Sequence, residues 1–206
     1  IIDKNKKAVG PINSNDALVF FNLRSDRARQ LTKTFAQDDF HKKNVGSFKP
    51  GKKIKNLLFV ALTDFGPDLE GVLTAYPGID IADTLPMALK DIRQCYISET
   101  EKYAHVTYFF NGGYDHPVAG EDWIDIPSKD VDSYADKPEM STRELTRRVI
   151  KDLKSDKYDF WMINFAAPDM VGHTGNLKAG IKAVEIVDQS VDKIIKAVLA
   201  KKGTIL

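Results

Sequence analysis

The chain has 206 residues, 43% of them hydrophobic and 29% charged, which supplies enough apolar material to bury a core and argues against disorder. Its 30 basic and 29 acidic residues leave a formal net charge of +1, so no face-wide basic field exists and neither nucleic acid nor an anionic membrane is an expected partner. No apolar run approaches the ~20 residues of a transmembrane helix, and the single cysteine, Cys95, reads as a buried structural thiol of a reducing, cytoplasmic compartment.

In chain order, Ala17 to Phe21 is a continuous apolar run bounded by Asp16 and Asn22, and reads as a short buried strand. Ser25 or Asp26 then caps a predicted helix with the apolar stripe Ala28, Leu31 and Phe35. Arg24 and Arg27 lie at that strand-to-helix junction, where two guanidiniums near a helix N-terminus suit a phosphate or carboxylate. On spacing alone the plainer reading is a solvated basic turn pairing with Asp26 and Asp38. The lysine-rich segment from Asp38 to Lys55 is a connection, and Leu57 to Leu62 is the next buried strand, parallel to the first. Asp64, Asp68 and Glu70, scattered in a Gly/Pro loop, read as solvated acids more readily than as ligands. Pro77 and Gly78 mark a linker. Beyond it Thr84 caps a helix that admits Pro86 in its first turn and buries Leu85, Ala88, Leu89 and Ile92.

Gln94 to Ile97 is a predicted strand, followed by the ionisable run Ser98-Glu99-Thr100-Glu101-Lys102 and a second strand from His105 to Phe110. Lys102 either positions an ammonium for an anionic substrate or forms a surface ion pair of little energetic weight. Trp123 to Pro127 alternates as an edge strand. Ser141-Thr142-Arg143-Glu144 is a capping box opening a helix with Leu145, Val149, Ile150 and Leu153 on one face. The strand Phe160 to Phe165 then leads into Ala166-Ala167-Pro168-Asp169-Met170-Val171-Gly172-His173-Thr174-Gly175, expected as a loop before a long helix from Asn176 to Lys202. That helix carries the stripe Leu177, Ile181, Val184, Val187, Val191, Ile194 and Val198, read as core. Loops at strand C-termini are the usual ligand crevice of α/β sheets. Asp169 offers a hard oxygen and His173 a borderline nitrogen, a mixture suited to Mn²⁺, Zn²⁺ or Fe²⁺. Alone, the pair also fits a turn-capping aspartate and a packed histidine.

Four stretches in order carry a resemblance. They are Phe21-Asn22-Leu23-Arg24-Ser25-Asp26-Arg27-Ala28-Arg29-Gln30, Glu99-Thr100-Glu101-Lys102-Tyr103-Ala104-His105-Val106-Thr107, Lys137-Pro138-Glu139-Met140-Ser141, and Pro168 to Gly175. Together they resemble cofactor-independent (2,3-bisphosphoglycerate-independent) phosphoglycerate mutase, of the alkaline phosphatase superfamily, over nearly the whole chain. The resemblance implies an α/β fold: part of a three-layer α/β/α alkaline-phosphatase-like domain, plus the tail of an inserted α/β transferase domain. On that pattern residues 1–73 are the C-terminal part of the substrate-binding transferase domain, 74–84 the linker and 85–206 the central part of the metal-binding domain. The reaction it implies is interconversion of 3- and 2-phosphoglycerate through a phosphoserine. It uses two divalent ions, Mn²⁺ foremost, needs no 2,3-bisphosphoglycerate, and takes place in a monomeric parent enzyme of glycolysis. Arg24, Arg27 and Lys102 match its substrate-binding cations, Lys102 as the catalytic one that reaches the phosphoryl group, and Asp169 and His173 match two ligands of one metal.

Ser25 stands where many members have proline and Ala167 where many have asparagine; neither supplies a proposed ligand. The family's nucleophilic serine and an aspartate ligand would lie upstream of Ile1, and its Asp-His pair and a further histidine beyond Leu206. The chain therefore reads as an internal fragment, expected to be inactive alone and to hold Mn²⁺ loosely, since catalytic metals take at least three protein groups. Another superfamily phosphomutase or phosphatase, and a non-catalytic mutase segment, are the alternatives.

Overall fold

Short apolar strands and the helices that cover them build two compact units, Ile1–Ile79 and Asp80–Leu206, in this computed structural model. The structure describes residues 1–66 and 68–206, with Asp26 described by its backbone alone. The division falls within the stretch expected as a linker.

In the first unit, β1 (Ala17–Phe20), β2 (Leu58–Thr63) and β3 (Val72–Tyr76) form a sheet in the order β1-β2-β3, with every pair parallel. After β1 the Asn22 Oδ1 accepts the Arg24 N–H at 2.8 Å and turns the chain into α1 (Ser25–Ala36). Arg24 occupies the N-cap position and no side chain caps the helix, so Ser25 lies inside it; the alternative Asp26 cap lies outside the described side chains. Ala28 packs with Ala61, Phe65 and Leu69, and Phe20 meets Phe65 edge-on at 5.6 Å. Leu31, expected in that stripe, is exposed, and the buried position of this turn is Thr32, whose Oγ1 donates to the Ala28 carbonyl at 2.9 Å. A one-residue rotation lets the hydroxyl satisfy itself inside the helix. Strand β3 is a correction: Val-Leu-Thr-Ala-Tyr has strand propensity, which the following Pro77-Gly78 obscures. The 38–55 connection also holds one helical turn, α2 (Phe40–Lys43).

In the second unit, β4 (Gln94–Glu99) is the buried centre of a parallel sheet ordered β5-β4-β6, between β5 (Asp122–Ile126) and β6 (Phe160–Asn164). Cys95 and Ile97 point into a cluster with Leu145 and Val149 of α5 (Thr142–Lys154) and Ile194 of α7 (Leu177–Ala200). Tyr96 meets Phe110 edge-on at 5.2 Å on the opposite face. Helices thus cover one face and the turn that carries Phe110 packs on the other, so the central strand is buried on both sides, as a parallel sheet requires.

Three expected elements differ. The helix from Thr84 shrinks to α3 (Leu85–Ala88), with Leu85 and Ile92 exposed. The Gln94 Nε2 ends it by donating to the carbonyls of Pro86 and Leu89, at 3.1 and 2.9 Å. The strand expected at His105 to Phe110 is instead a helical turn, α4 (Tyr103–Val106), followed by further turns. There Thr107 Oγ1 bonds the Tyr103 carbonyl at 2.8 Å and Asn111 Nδ2 bonds the buried Glu121 at 2.6 Å. Finally, Thr204 to Leu206, which in sequence reads as the start of another buried strand, forms no strand.

Candidate functional site

The C-terminal ends of β4 and β6 bring the second and fourth of the matched stretches together. Beyond β4 the chain makes a single 3-10 turn, Thr100–Lys102, before α4. Thr100 Oγ1 donates to Asp125 Oδ1 at 2.9 Å, and the Glu101 N–H reaches Ser128 Oγ at 3.4 Å, so the turn is tied to the end of β5. Beyond β6 the expected loop is helical. Ala167–Gly172 forms α6, Pro168 fits its first turn, and His173 is the C-cap, its N–H bonding the Asp169 carbonyl at 3.0 Å.

Asp169 and His173 therefore share one face of a helical turn, with Asp169 Oδ1 and His173 Nε2 3.5 Å apart. The other oxygen, Oδ2, is ion-paired with Lys102 Nζ. Lys102 is the sequestered member, its side chain only 15% exposed against 51% for Asp169 and 74% for His173. The Lys102 hydrogen bond, followed by the Lys102 charge and those of His173 and His105, holds the Asp169 carboxyl below its ordinary range. His105 was expected in a strand; it sits in α4, its ring 5.6 Å from Phe109 and within electrostatic reach of Asp169.

The carboxylate and imidazole fit one side of a divalent-metal shell in donor type and direction. Among the described residues, however, no three His, Cys, Asp or Glu side chains gather closely enough to hold a metal.

One residue beneath this site was not anticipated. Glu99, the last residue of β4, is fully buried, and its Oε2 accepts the Ser141 N–H at 2.9 Å. Burial pushes its carboxyl up to about 7, with the Glu144 charge adding to the rise while the Ser141 N–H and Lys129 oppose it. Ser141 is the N-cap of α5 and follows a buried Met140 in the left-handed region at φ +44°. The stretch from Lys137 to Ser141 thus buttresses the Lys102 turn from below. The only signal for this was a carboxylate closing an otherwise uncharged strand.

Arg24 and Arg27 lie in the first unit, Arg24 as the N-cap of α1 and Arg27 in its first turn, both exposed. Arg29 points elsewhere: its Nη2 pairs with Asp68 at 2.5 Å, and Lys33 reaches the same carboxylate at 2.9 Å. Asp68 is accordingly an ion-paired acid and not a ligand. Burial would raise its carboxyl, but the two cations keep it below the ordinary range. Asp64 Oδ1 accepts the Gly66 N–H at 2.8 Å.

Residues 53–206 match the family model of the metalloenzyme superfamily, three-quarters of the chain. The chain belongs to the metalloenzyme superfamily. Residues 1–67 also match the model of the BPG-independent PGAM N-terminus. The 2,3-bisphosphoglycerate-independent phosphoglycerate mutase of Clostridium novyi is 44% identical over 207 residues, covering 100% of this chain and 39% of the relative. Its counterpart in Clostridioides difficile is 46% identical over 206 residues, 99% of this chain and 39% of the relative. That of Methanococcoides burtonii is 45% identical over 200 residues, 96% and 37%. A Leishmania mexicana phosphoglycerate mutase, solved at low cobalt concentration, superposes with a TM-score of 0.76 at 31% identity, over 96% of this chain and 36% of that one. The chain thus spans about two-fifths of the length of the curated relatives it matches. The α/β fold with an alkaline-phosphatase-like metalloenzyme unit, expected from the sequence, agrees with these matches.

Proposed function

We propose that this chain is a segment of a metal-dependent, cofactor-independent phosphoglycerate mutase, contributing one half of a metal shell and three of the cations that bind phosphoglycerate. The observation that carries the reading is the convergence of Lys102, Asp169 and His173 from two strand ends, because phosphoryl transfer needs a cation and a metal ligand side by side. Residues 1–73 belong to the transferase domain and 85–206 to the metal-binding domain in this reading, joined through 74–84.

Asp169 Oδ1 and His173 Nε2 would hold a divalent ion, Mn²⁺ by the family resemblance. When bound, that ion supplies Lewis-acid stabilisation of phosphoryl oxygens. Lys102, held in place by a turn with little solvent access, keeps its ammonium at the same point and neutralises charge on the transferring group. Arg24 and Arg27 offer planar donors that match a phosphate or carboxylate two bonds at a time. In this reading the serine that carries the phosphoryl group lies outside these 206 residues. The same reading makes the parent protein a monomer acting in cytoplasmic glycolysis.

The test is a chimera in which these 206 residues replace the matching segment of the Clostridium novyi relative. Mn²⁺-dependent interconversion of 3- and 2-phosphoglycerate is expected, falling at least ~100-fold in Asp169→Ala and Lys102→Ala. A folded, Mn²⁺-loaded chimera without mutase activity overturns the reading.

A further inference from the structure

The first unit holds a cavity of about 410 Å³ between the C-terminal end of α1, the helical turn α2 and the chain from Phe48 to Ile54. Its walls are aromatic. Phe40 is buried and its ring lies 5.6 Å from that of Phe48, while Phe35 is held against Phe59 at 5.9 Å. Phe48 keeps 65% of its surface exposed, so it borders the cavity and does not fill it. The wall is braced from behind. Asn44 Nδ2 donates to the Phe40 carbonyl and to Gln37 Oε1, both at 2.8 Å, and Gln37 Nε2 donates to the Asp68 carbonyl at 3.1 Å.

The free charge around these rings has one sign. Residues 38–55 hold six lysines and two aspartates, in a chain whose net charge is only +1. Both aspartates are spent, Asp38 on Lys53 and Asp39 on Lys42 at 3.2 Å. Lys49 and Lys52 line the cavity and, among the described residues, neither forms an ion pair. The C-terminal end of α1 is partially negative, and the surplus of lysines outweighs it. A cavity of this size takes a small organic molecule. Flat aromatic walls favour a flat ring, and unpaired ammonium groups beside them favour an anion.

We propose that this cavity binds an aromatic ring carrying a phosphate, the chemistry of a nucleoside monophosphate, with the ring against Phe40 and Phe48 and the phosphate at Lys49 and Lys52. The site is separate from the cations that the mutase reading assigns to phosphoglycerate. Arg24 caps the opposite end of α1, roughly 15 Å away along the helix axis.

The test titrates the 206-residue chain with adenosine 5′-monophosphate and follows the ring protons of His41, which lines the cavity, with those of His116 as the reference. A saturable shift of His41 alone is expected, and it should weaken as salt is added. Adenosine and inorganic phosphate, titrated separately, should each need at least ~10-fold more ligand to reach the midpoint, because neither engages both halves of the site. Phe48→Ala should raise the midpoint about 10-fold, and Phe48→Tyr, which keeps the ring, should leave it nearly unchanged. Lys49→Gln combined with Lys52→Gln should raise it about 5-fold and flatten the salt dependence. An unmoved His41, a midpoint indifferent to both sets of substitutions, or one that inorganic phosphate alone reproduces overturns the proposal. So does displacement of the nucleotide by an equal concentration of 3-phosphoglycerate, which would put it at Arg24 and Arg27 instead. None of these results decides the mutase reading, which the chimera tests separately.

Discussion

Glu99 adds a pH-dependent contribution to the stability of the second unit. Its carboxyl is raised from the ordinary glutamate value to about 7, chiefly by burial at the end of β4. Between about 4.5 and that value the unfolded chain has shed the proton and the folded chain has kept it. The unfolded state then binds fewer protons, so this group's contribution to stability falls as pH rises through that window. A shift of this size corresponds to about 3 kcal/mol, present as a penalty above the window and absent below it. Glu99→Gln retains an acceptor for the Ser141 N–H and cannot ionise. Its melting temperature relative to the unsubstituted chain is expected to climb between pH 5 and pH 7 and to level off above that. A difference independent of pH in thermal melts would show that Glu99 does not ionise at the cost described. Asp169, His173 and Lys102 were singled out beforehand through stretches that resemble a known family, and the structure brings the three together. Glu99 lay inside a matched stretch too, but its partner Ser141 is 42 residues away and nothing local announces the pairing.

At the scale of elements, helix ends separate what spacing can foretell from what it cannot. Asn176 caps α7 as residue type suggests, its Oδ1 accepting the Ala179 N–H at 3.1 Å. The capping box expected at α5 does not form: no side chain caps it, Ser141 Oγ donates to the Pro127 carbonyl at 2.7 Å, and Glu144 turns outward to Lys129 at 3.0 Å. The N-cap amide is instead served by Glu99 from another strand. Asn176→Ala is therefore expected to cost about 1 kcal/mol in denaturant unfolding. Glu144→Ala should cost less than about 0.5 kcal/mol, because only half-exposed surface pairs are lost. A reversed order of the two would restore the capping-box reading. The strand expected at His105 to Phe110 failed for a related reason. Its residues favour a strand locally, but Thr107 and Asn111 spend their side chains on turn bonds to Tyr103 and Glu121.

At the scale of the molecule, each unit leaves apolar surface bare. In the first unit Phe59 and Ala61 of β2 are buried, while the alternate positions Val19, Leu58 and Leu73 are about half-exposed or more. A parallel sheet ordinarily buries both faces. In the second unit α7 was expected to bury its large apolar stripe, and Ile194 does lie in the core, with Val187 and Val198 packed half-buried against it. The other buried positions, however, are Ala179, Ala183, Ile186 and Ser190, while Leu177, Ile181 and Val184 stay exposed. Small residues pack where α6 approaches α7, and that displaces the larger stripe toward solvent. A helix apolar on two sides is built for contact on both, and contiguous apolar surface of this kind drives association. The chain is accordingly expected to bind a hydrophobic dye while fully folded and to scatter light increasingly with concentration. Ile181→Lys combined with Val184→Glu should reduce both signals by at least half and shift the unfolding free energy by less than about 0.5 kcal/mol, the usual range for surface changes. A loss of several kcal/mol would place this face inside the core after all, and unchanged dye binding would place the sticky surface on the bare side of the first unit's sheet. The second result sends the same test to Val19 and Leu73.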